Sequence, residues 1–165
     1  MQTRKTARAL LFDRDGRLLL VKMHDPEVAD ADGRVELRAY WVTIGGEIDE
    51  GETIEAAAMR EITEETGIAD ARLGPRVWYA EHVLNVKGVP RLFQETFVVA
   101  YTDKTTLSSD GFTEEEARVI QHLKWWDIDE LFASGDVFFP SSLKENLLPI
   151  VEDGILPAVT LTIEP

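Results

Sequence analysis

The 165-residue chain has no cysteine, few bases and no long apolar run, and each shortage removes a class of chemistry. Without cysteine there are no disulfides, no thiolate zinc sites and no cysteine nucleophile. No apolar stretch approaches the ~20 residues needed to cross a bilayer as a helix. Met1 to Thr6 is polar and does not read as a signal-peptide core, so a cytoplasmic protein with no membrane partner is expected. Bases are scarce too, with 17 Lys and Arg against 31 Asp and Glu, a net charge of −14. Such a chain repels phosphate backbones at long range, so non-specific nucleic-acid binding is not expected. A polyanion that does bind must be met by something positive. No G-x-S-x-G or P-loop occurs, which removes the usual serine hydrolase and ATPase signatures.

What is present reads as one globular domain over 1–165, with 44% apolar and 29% charged residues and no linker or repeat. Ala7 to Phe12 and Leu18 to Met23 are apolar runs around an Asp15-Gly16 turn, a hairpin signal. His24 to Arg34 carries four acids, one Pro and one Gly, and reads as a loop. Leu37 to Ile44 resembles a strand that stops at Gly45-Gly46. A helix is predicted from about Thr53, a plausible N-cap, to Thr66, with Gly67 as its left-handed terminator. Long strands are expected over Arg76 to Val86 and Leu92 to Thr102, joined across Lys87 to Pro90. A polar loop then leads to a strand at Leu123 to Trp126, a short helix near Asp129 to Ala133 and a last helix over Ser141 to Val151. The mixture points to an α/β (α+β) fold, a mixed sheet with helices on both faces.

Charge is concentrated in one place. Gly45 to Ile68 holds eight acids and one base, a local charge of −7 in 24 residues. On a helix Glu61, Glu64 and Glu65 stand at i, i+3 and i+4 and share a face that borders the Ile54, Ala58 and Ile62 stripe. Like charges at that spacing repel, more so when partly buried, unless a cation offsets them. Clustered carboxylates suit a hard divalent ion such as Mg²⁺ or Mn²⁺ and not zinc. Arg60 lies beside Glu64 on the wheel and can orient a neighbouring carboxylate. Gly45 and Gly46, lacking Cβ atoms, let backbone approach an ion or phosphate closely. The competing interpretation is an acid-rich, solvated helix.

Read as a whole, the segment is Gly46-x5-Glu52-x7-Arg60-Glu61-Ile62-x-Glu64-Glu65-x-Gly67-Ile68. It resembles, without a gap, the G-x5-E-x7-R-E-U-x-E-E-x-G-U signature of the Nudix hydrolases, U being a bulky aliphatic residue. The flanks are similar as well, with Trp41 on a strand leading to Gly45-Gly46-Glu47 and Trp125-Trp126 followed by Leu131. One departure is Ile44, where many relatives have proline. The resemblance implies an α/β/α sandwich whose strand-loop-helix motif holds divalent metal. It also implies cleavage of a pyrophosphate bond in a small nucleotide derivative by water attack at phosphorus. On that basis Glu61, Glu64 and Glu65 ligate metal, the Gly46 carbonyl is a further candidate ligand, and Glu52 and Arg60 form a salt link holding loop to helix. The general base is not fixed by the motif. Inside it Glu64 is the first choice. Outside it Glu114, Glu115 and Glu116 fall in a loop where relatives often place another acid, and Glu116 is the candidate.

Arg38 and Tyr40, on the strand before the glycines, are candidates for contact with phosphate and base, with ordinary strand residues as the equal alternative. Trp78, Tyr79, Phe93 and Phe97 are expected mostly in the core, and His24, His82 and His122 lack metal or triad spacing. A Nudix-fold sensor that binds without cleaving usually loses motif acids, and this chain keeps them all. A prenyl-diphosphate isomerase of that fold needs cysteine. ADP-ribose enzymes tend to carry a proline near position 83, here Val83. Dinucleoside polyphosphate enzymes tend to carry tyrosine where Asn85 stands. Nucleoside triphosphates or nucleotide sugars are therefore favoured as substrates. Oligomeric state is left open, a homodimer included.

Overall fold

A continuous apolar run sends side chains to both faces of a strand, so it needs cover on two sides. In β1 (Gln2–Phe12), Ala7, Ala9 and Leu11 point one way and Leu10 and Phe12 the other. β2 (Leu18–Met23) divides likewise, Leu19 and Val21 against Leu18 and Leu20. The computed structural model, which describes residues 1–165, covers both faces. On one face α1 (Ile54–Thr66) packs through Ala57, Ala58 and Ile62. On the other lie α3 (Ile128–Ala133) and α4 (Leu143–Asp153), through Leu131, Leu143 and Leu147. The result is an α+β fold, a mixed nine-stranded sheet between helices.

The remaining strands are β3 (Val28–Ala29), β4 (Tyr40–Glu47), β5 (Arg72–Val86), β6 (Val89–Tyr101), β7 (Ile120–Trp126), β8 (Val137–Phe139) and β9 (Leu161–Thr162). They follow the order β3-β5-β6-β1-β2-β4-β8, with β7 on β2 and β9 on β5. β1 runs parallel to β6 along its whole length, Gln2 opposite Arg91 and Phe12 opposite Tyr101. It meets β2 at Phe12 and Leu18 alone, after which β2 turns away to pair with β4 and β7. β4 fills the opening. Its first half pairs with β2 and its second half, Ile44 to Glu47, with β1 at Ala9 to Thr6. The two glycines therefore sit inside a sheet, directly beneath α1.

Several elements differ from the sequence expectation. β4 does not stop at Gly45-Gly46 but continues through them to Glu47, because β1 supplies a ladder partner. The stretch from His24 to Arg34 is not all loop, since Val28 and Ala29 pair with Val86 and Asn85 of β5. The β5–β6 connection is a two-residue turn, Lys87-Gly88, not four residues. Glu114, Glu115 and Glu116 are not in a loop. They form the first turn of α2 (Glu114–Val119), which Thr113 caps. Arg38 lies outside any strand, while Tyr40 opens β4. Trp78, Phe93 and Phe97 are buried, and Tyr79 is half-buried.

Ile62 joins α1 to the sheet with no exposed surface, so Ile62→Ala should cost about 2–5 kcal/mol through lost burial and a cavity. Leu37→Ala, at a side chain 87% exposed, should stay within about 0.5 kcal/mol of the parent. Urea unfolding of both variants measures the contrast.

Candidate active site

The ends of α1 set its rotational phase. Thr53 Oγ1 accepts from the Ala56 N–H at 3.1 Å, and Gly67, at φ 78°, closes the helix by donating to the Thr63 carbonyl. With that phase, the Ala57, Ala58 and Ile62 stripe turns to the sheet and carries Glu61 and Glu65, one turn apart, with it. Both carboxylates are buried, at 7% and 4% exposure. They fit because the strand below is glycine. A Cβ on Gly46 would stand 2.3 Å from Glu61 Oε1, and the Gly45 N–H donates to Glu65 Oε1 at 3.3 Å. On the opposite side of the strand a Gly45 Cβ would come within 2.6 Å of Arg8 Cδ.

A third carboxylate arrives from α2. Oxygens of Glu61, Glu65 and Glu116 all lie within 4.8 Å of one another. Glu116 is fixed by a reciprocal cap, its N–H donating to Thr113 Oγ1 and its Oε1 accepting from the Thr113 N–H, each at 3.1 Å. Glu64 is placed differently from Glu61 and Glu65. Three residues on from Glu61, its side chain is 43% exposed and meets Arg60 at 3.3 Å.

Arg60 ties the acid loop to the helix. Its Nε and Nη2 each donate to one oxygen of Glu52 at 2.9 Å, a bidentate pair. Nη2 also donates to the Glu47 carbonyl at 2.9 Å, and Nη1 to Glu61 at 2.8 Å. Glu52 Oε2 accepts from the Asp49 N–H as well. The Arg60 hydrogen bonds first, then that N–H, pull the Glu52 carboxyl down to about 2. Burial pushes Glu61 and Glu65 the other way, and their mutual repulsion adds to the rise at Glu65. Three crowded carboxylates, only one of which, Glu61, is met by a guanidinium, form a donor set of hard oxygens, which suits a divalent cation such as Mg²⁺.

The structure thus brings together Gly45, Gly46, Glu52, Arg60, Glu61, Glu64, Glu65 and Glu116. It leaves Arg38 on the surface, where its ion pair is with Glu36 at 3.6 Å. Tyr40 packs edge-on against Phe139, ring centroids 5.2 Å apart.

A second polar cluster escaped sequence reasoning. Glu95, buried on β6, takes Arg8 Nε at 3.0 Å, His82 Nε2 at 3.1 Å and the Thr6 hydroxyl at 3.4 Å. The available signal was period-two polarity, Arg4-x-Thr6-x-Arg8, at the start of a strand that becomes apolar at Leu10 and Phe12. His82 owes its place to this cluster, whereas His24 bonds the Glu36 carbonyl.

Burial alone would raise the Glu95 carboxyl, but Arg8 and then His82 hold it down at about 2, against 4.5 for a free side chain. A carboxylate depressed in the folded state stabilises the fold fully above about pH 4.5, and that stability is lost as pH falls through about 2. The loss should total roughly 3 kcal/mol. Chemical denaturation of the parent at pH 5 and pH 2.5, compared with Glu95→Gln, checks it. The variant should be weaker at pH 5 and should show a smaller fall between the two pH values.

Known proteins with this sequence pattern and fold bear on the site. A family model described as NUDIX domain matches residues 2–147. An RNA pyrophosphohydrolase of Wolbachia pipientis subsp. Culex pipiens (strain wPip) is 25% identical over 138 residues, covering 78% of this chain and 77% of that protein. Among solved structures, the E. coli ORF135 protein superposes with a TM-score of 0.63 at 23% identity, covering 96% of both chains. The E. coli dihydroneopterin triphosphate pyrophosphohydrolase does so with a TM-score of 0.62 at 20% identity, over 93% of this chain and 99% of that one. At these identities the two structures speak for the fold, while the family match spans the whole carboxylate site. With Glu61 and Glu65 of the motif buried against Gly46 and Gly45, the chain belongs to the NUDIX domain family and is a Nudix hydrolase acting on a pyrophosphate bond.

Proposed function

We propose that the chain is a divalent-metal-dependent pyrophosphohydrolase of small nucleoside diphosphate derivatives, with Glu61, Glu65 and Glu116 as the metal-holding carboxylates and the Gly46 carbonyl beside them. The observation that carries this reading is the convergence of three acids, two of them buried, within 4.8 Å. Mg²⁺ is the expected ion and Mn²⁺ the expected substitute, both hard cations for oxygen ligands. An ion held there would neutralise charge on the diphosphate oxygens and acidify a water for attack at phosphorus.

The chain's own groups do the rest. Glu52 and Arg60 hold the acid loop against α1, which keeps Glu61 in register with Gly46. Glu64 is the candidate base. Its Oε2 faces Arg60, leaving Oε1 to accept the proton of the attacking water. Glu116 therefore moves from the alternative base to the metal set, because its oxygens lie with those of Glu61 and Glu65. Nucleoside triphosphates and nucleotide sugars stay favoured as substrates. Asn85, which stands where a tyrosine would mark another substrate class, donates to the Asp30 carbonyl at 2.8 Å and holds the neighbouring loop. The name of the Wolbachia relative adds RNA to the panel worth testing.

Two measurements separate the roles. Millimolar Mg²⁺ should raise the melting temperature of the parent, because it offsets repulsion present only in the folded state. Glu65→Gln and Glu116→Gln should weaken or abolish that shift, and Glu64→Gln should retain it. In turnover assays Glu64→Gln should lower kcat by roughly 10²–10⁴ with metal affinity little changed, as for a lost general base. Glu55→Gln, whose residue pairs with Arg76 on the surface, should behave like the parent. EDTA should abolish activity and added Mg²⁺ or Mn²⁺ should restore it. Full turnover in metal-free buffer would refute the mechanism.

A further inference from the structure

The two glycines of β4 have charged groups against both faces. On the α1 side Glu61 fills the space beside Gly46, and Glu65 accepts from the Gly45 N–H. On the opposite face lies Arg8, which stands across from Gly45 in the antiparallel pairing of β1 with β4. A Gly45 Cβ would come within 2.6 Å of Arg8 Cδ, so this side chain rests on bare backbone. Its Nη1 donates to the Thr43 carbonyl of the same strand at 3.4 Å. A single layer of backbone therefore separates a guanidinium from two carboxylates of the candidate metal site.

A positive charge in that place opposes a bound cation. Burial works against the charge of Arg8, yet Glu95, then Glu65 and Glu61, hold the guanidinium above its ordinary value. The pull is mutual, and a charge close enough to attract Glu65 and Glu61 repels a cation held by them. Water between the layers would screen the repulsion, but Glu61, Glu65 and Glu95 are all buried.

Glu95 answers the charge. Its Oε1 accepts from Arg8 Nε at 3.0 Å and from the Thr6 hydroxyl at 3.4 Å. Its Oε2 meets His82 Nε2 at 3.1 Å. The carboxylate is thus tied to β1 and β5 as well as to its own strand, β6, and its position fixes that of the guanidinium.

We propose that Glu95 is a positioning residue for the metal site and acts through Arg8. It holds the guanidinium on the far face of the glycine pair and cancels its charge, which leaves Glu61 and Glu65 free to hold a divalent cation. The proposal rests on the metal-dependent hydrolase reading and adds to it a residue outside the motif. Glu95 touches neither metal nor substrate. Removing its charge alone leaves Arg8 uncompensated beside the site, whereas removing both charges restores the balance. A carboxylate needed only for packing has no such reciprocity.

Mn²⁺ binding is followed without nucleotide, by the loss of the free-ion paramagnetic resonance signal, at a temperature where each variant is folded. The parent should bind, and Glu65→Gln should bind more weakly, which locates the ion. Glu95→Gln should weaken binding by about ten-fold, the scale of one uncompensated charge beside the site. The double variant Arg8→Gln/Glu95→Gln should return to within about three-fold of the parent, the non-additivity expected of a coupled pair. Arg8→Gln alone should bind at least as tightly as the parent. Leu147→Ala, a buried truncation on the same face of the sheet, should lower the melting temperature and leave Mn²⁺ affinity unchanged. If Glu95→Gln binds Mn²⁺ as the parent does, or if the double variant stays as weak as Glu95→Gln, the proposal is overturned. Should Glu95→Gln not fold, Arg8→Gln decides, since weaker binding there contradicts a cancelled charge. A parent that binds no Mn²⁺ overturns the metal reading and the proposal together. A parent that binds as expected but cleaves no nucleotide overturns the hydrolase reading and leaves the role of Glu95 standing.

Discussion

The burial of Glu61 and Glu65 against the two glycines of β4 is the constraint on which the site depends. Two carboxylates four residues apart repel each other, and removing them from water makes the repulsion worse. They hold their places because α1 is committed to the sheet by Ala57, Ala58 and Ile62, small or apolar residues that bring the helix axis close. Gly46 then leaves the space that Glu61 fills, and the Gly45 N–H supplies Glu65 with a donor. The apolar stripe drives the packing, and the acids are carried into the interface by helical periodicity.

Around that pair the chain distributes opposite charge sparingly. Arg60 serves several acceptors at once, the Glu52 carboxylate, the Glu47 carbonyl and the Glu61 carboxylate, so one planar fork fixes both the loop and the helix. Across β4, Arg8 is occupied by Glu95 and anchored on the Thr43 carbonyl. Neither arginine reaches all three clustered oxygens of Glu61, Glu65 and Glu116. The cluster consequently retains an excess of negative charge. A cation held there would offset that charge and let an acidic protein accept a polyanion.

Helix α2 contributes to both local structure and site. Glu116 closes the capping box with Thr113 through one oxygen while its carboxylate lies with Glu61 and Glu65. The same side chain that starts a six-residue helix also completes the cluster. Gly111 keeps the approach open, since a Cβ there would stand 2.3 Å from the Glu64 carbonyl. Lys87, at the tip of the β5–β6 turn, reaches Glu115 at 3.7 Å and joins the hairpin to the helix.

Features that depend on neighbours along the chain were legible in the amino-acid order. The limits of α1 followed from Thr53 and Gly67, the apolar strands β1 and β2 from their unbroken runs, and the Glu61, Glu64, Glu65 spacing from helical period. The motif carried the family with it. Features that depend on strands meeting from distant positions emerged with the packing. The apolar runs could not show that β1 and β2 part after Phe12 and Leu18, admitting β4 between them and extending it through Gly45 and Gly46. Periodicity grouped three acids on one face and set Glu64 beside Arg60, yet only packing brought Glu116, 51 positions beyond Glu65, to the oxygens of Glu61 and Glu65. Arg4, Arg8, Arg91 and Glu95 looked like scattered strand charges because their relation is set by the parallel register of β1 with β6. A register is fixed by the burial of whole strand faces, and that information lies in no local window of sequence.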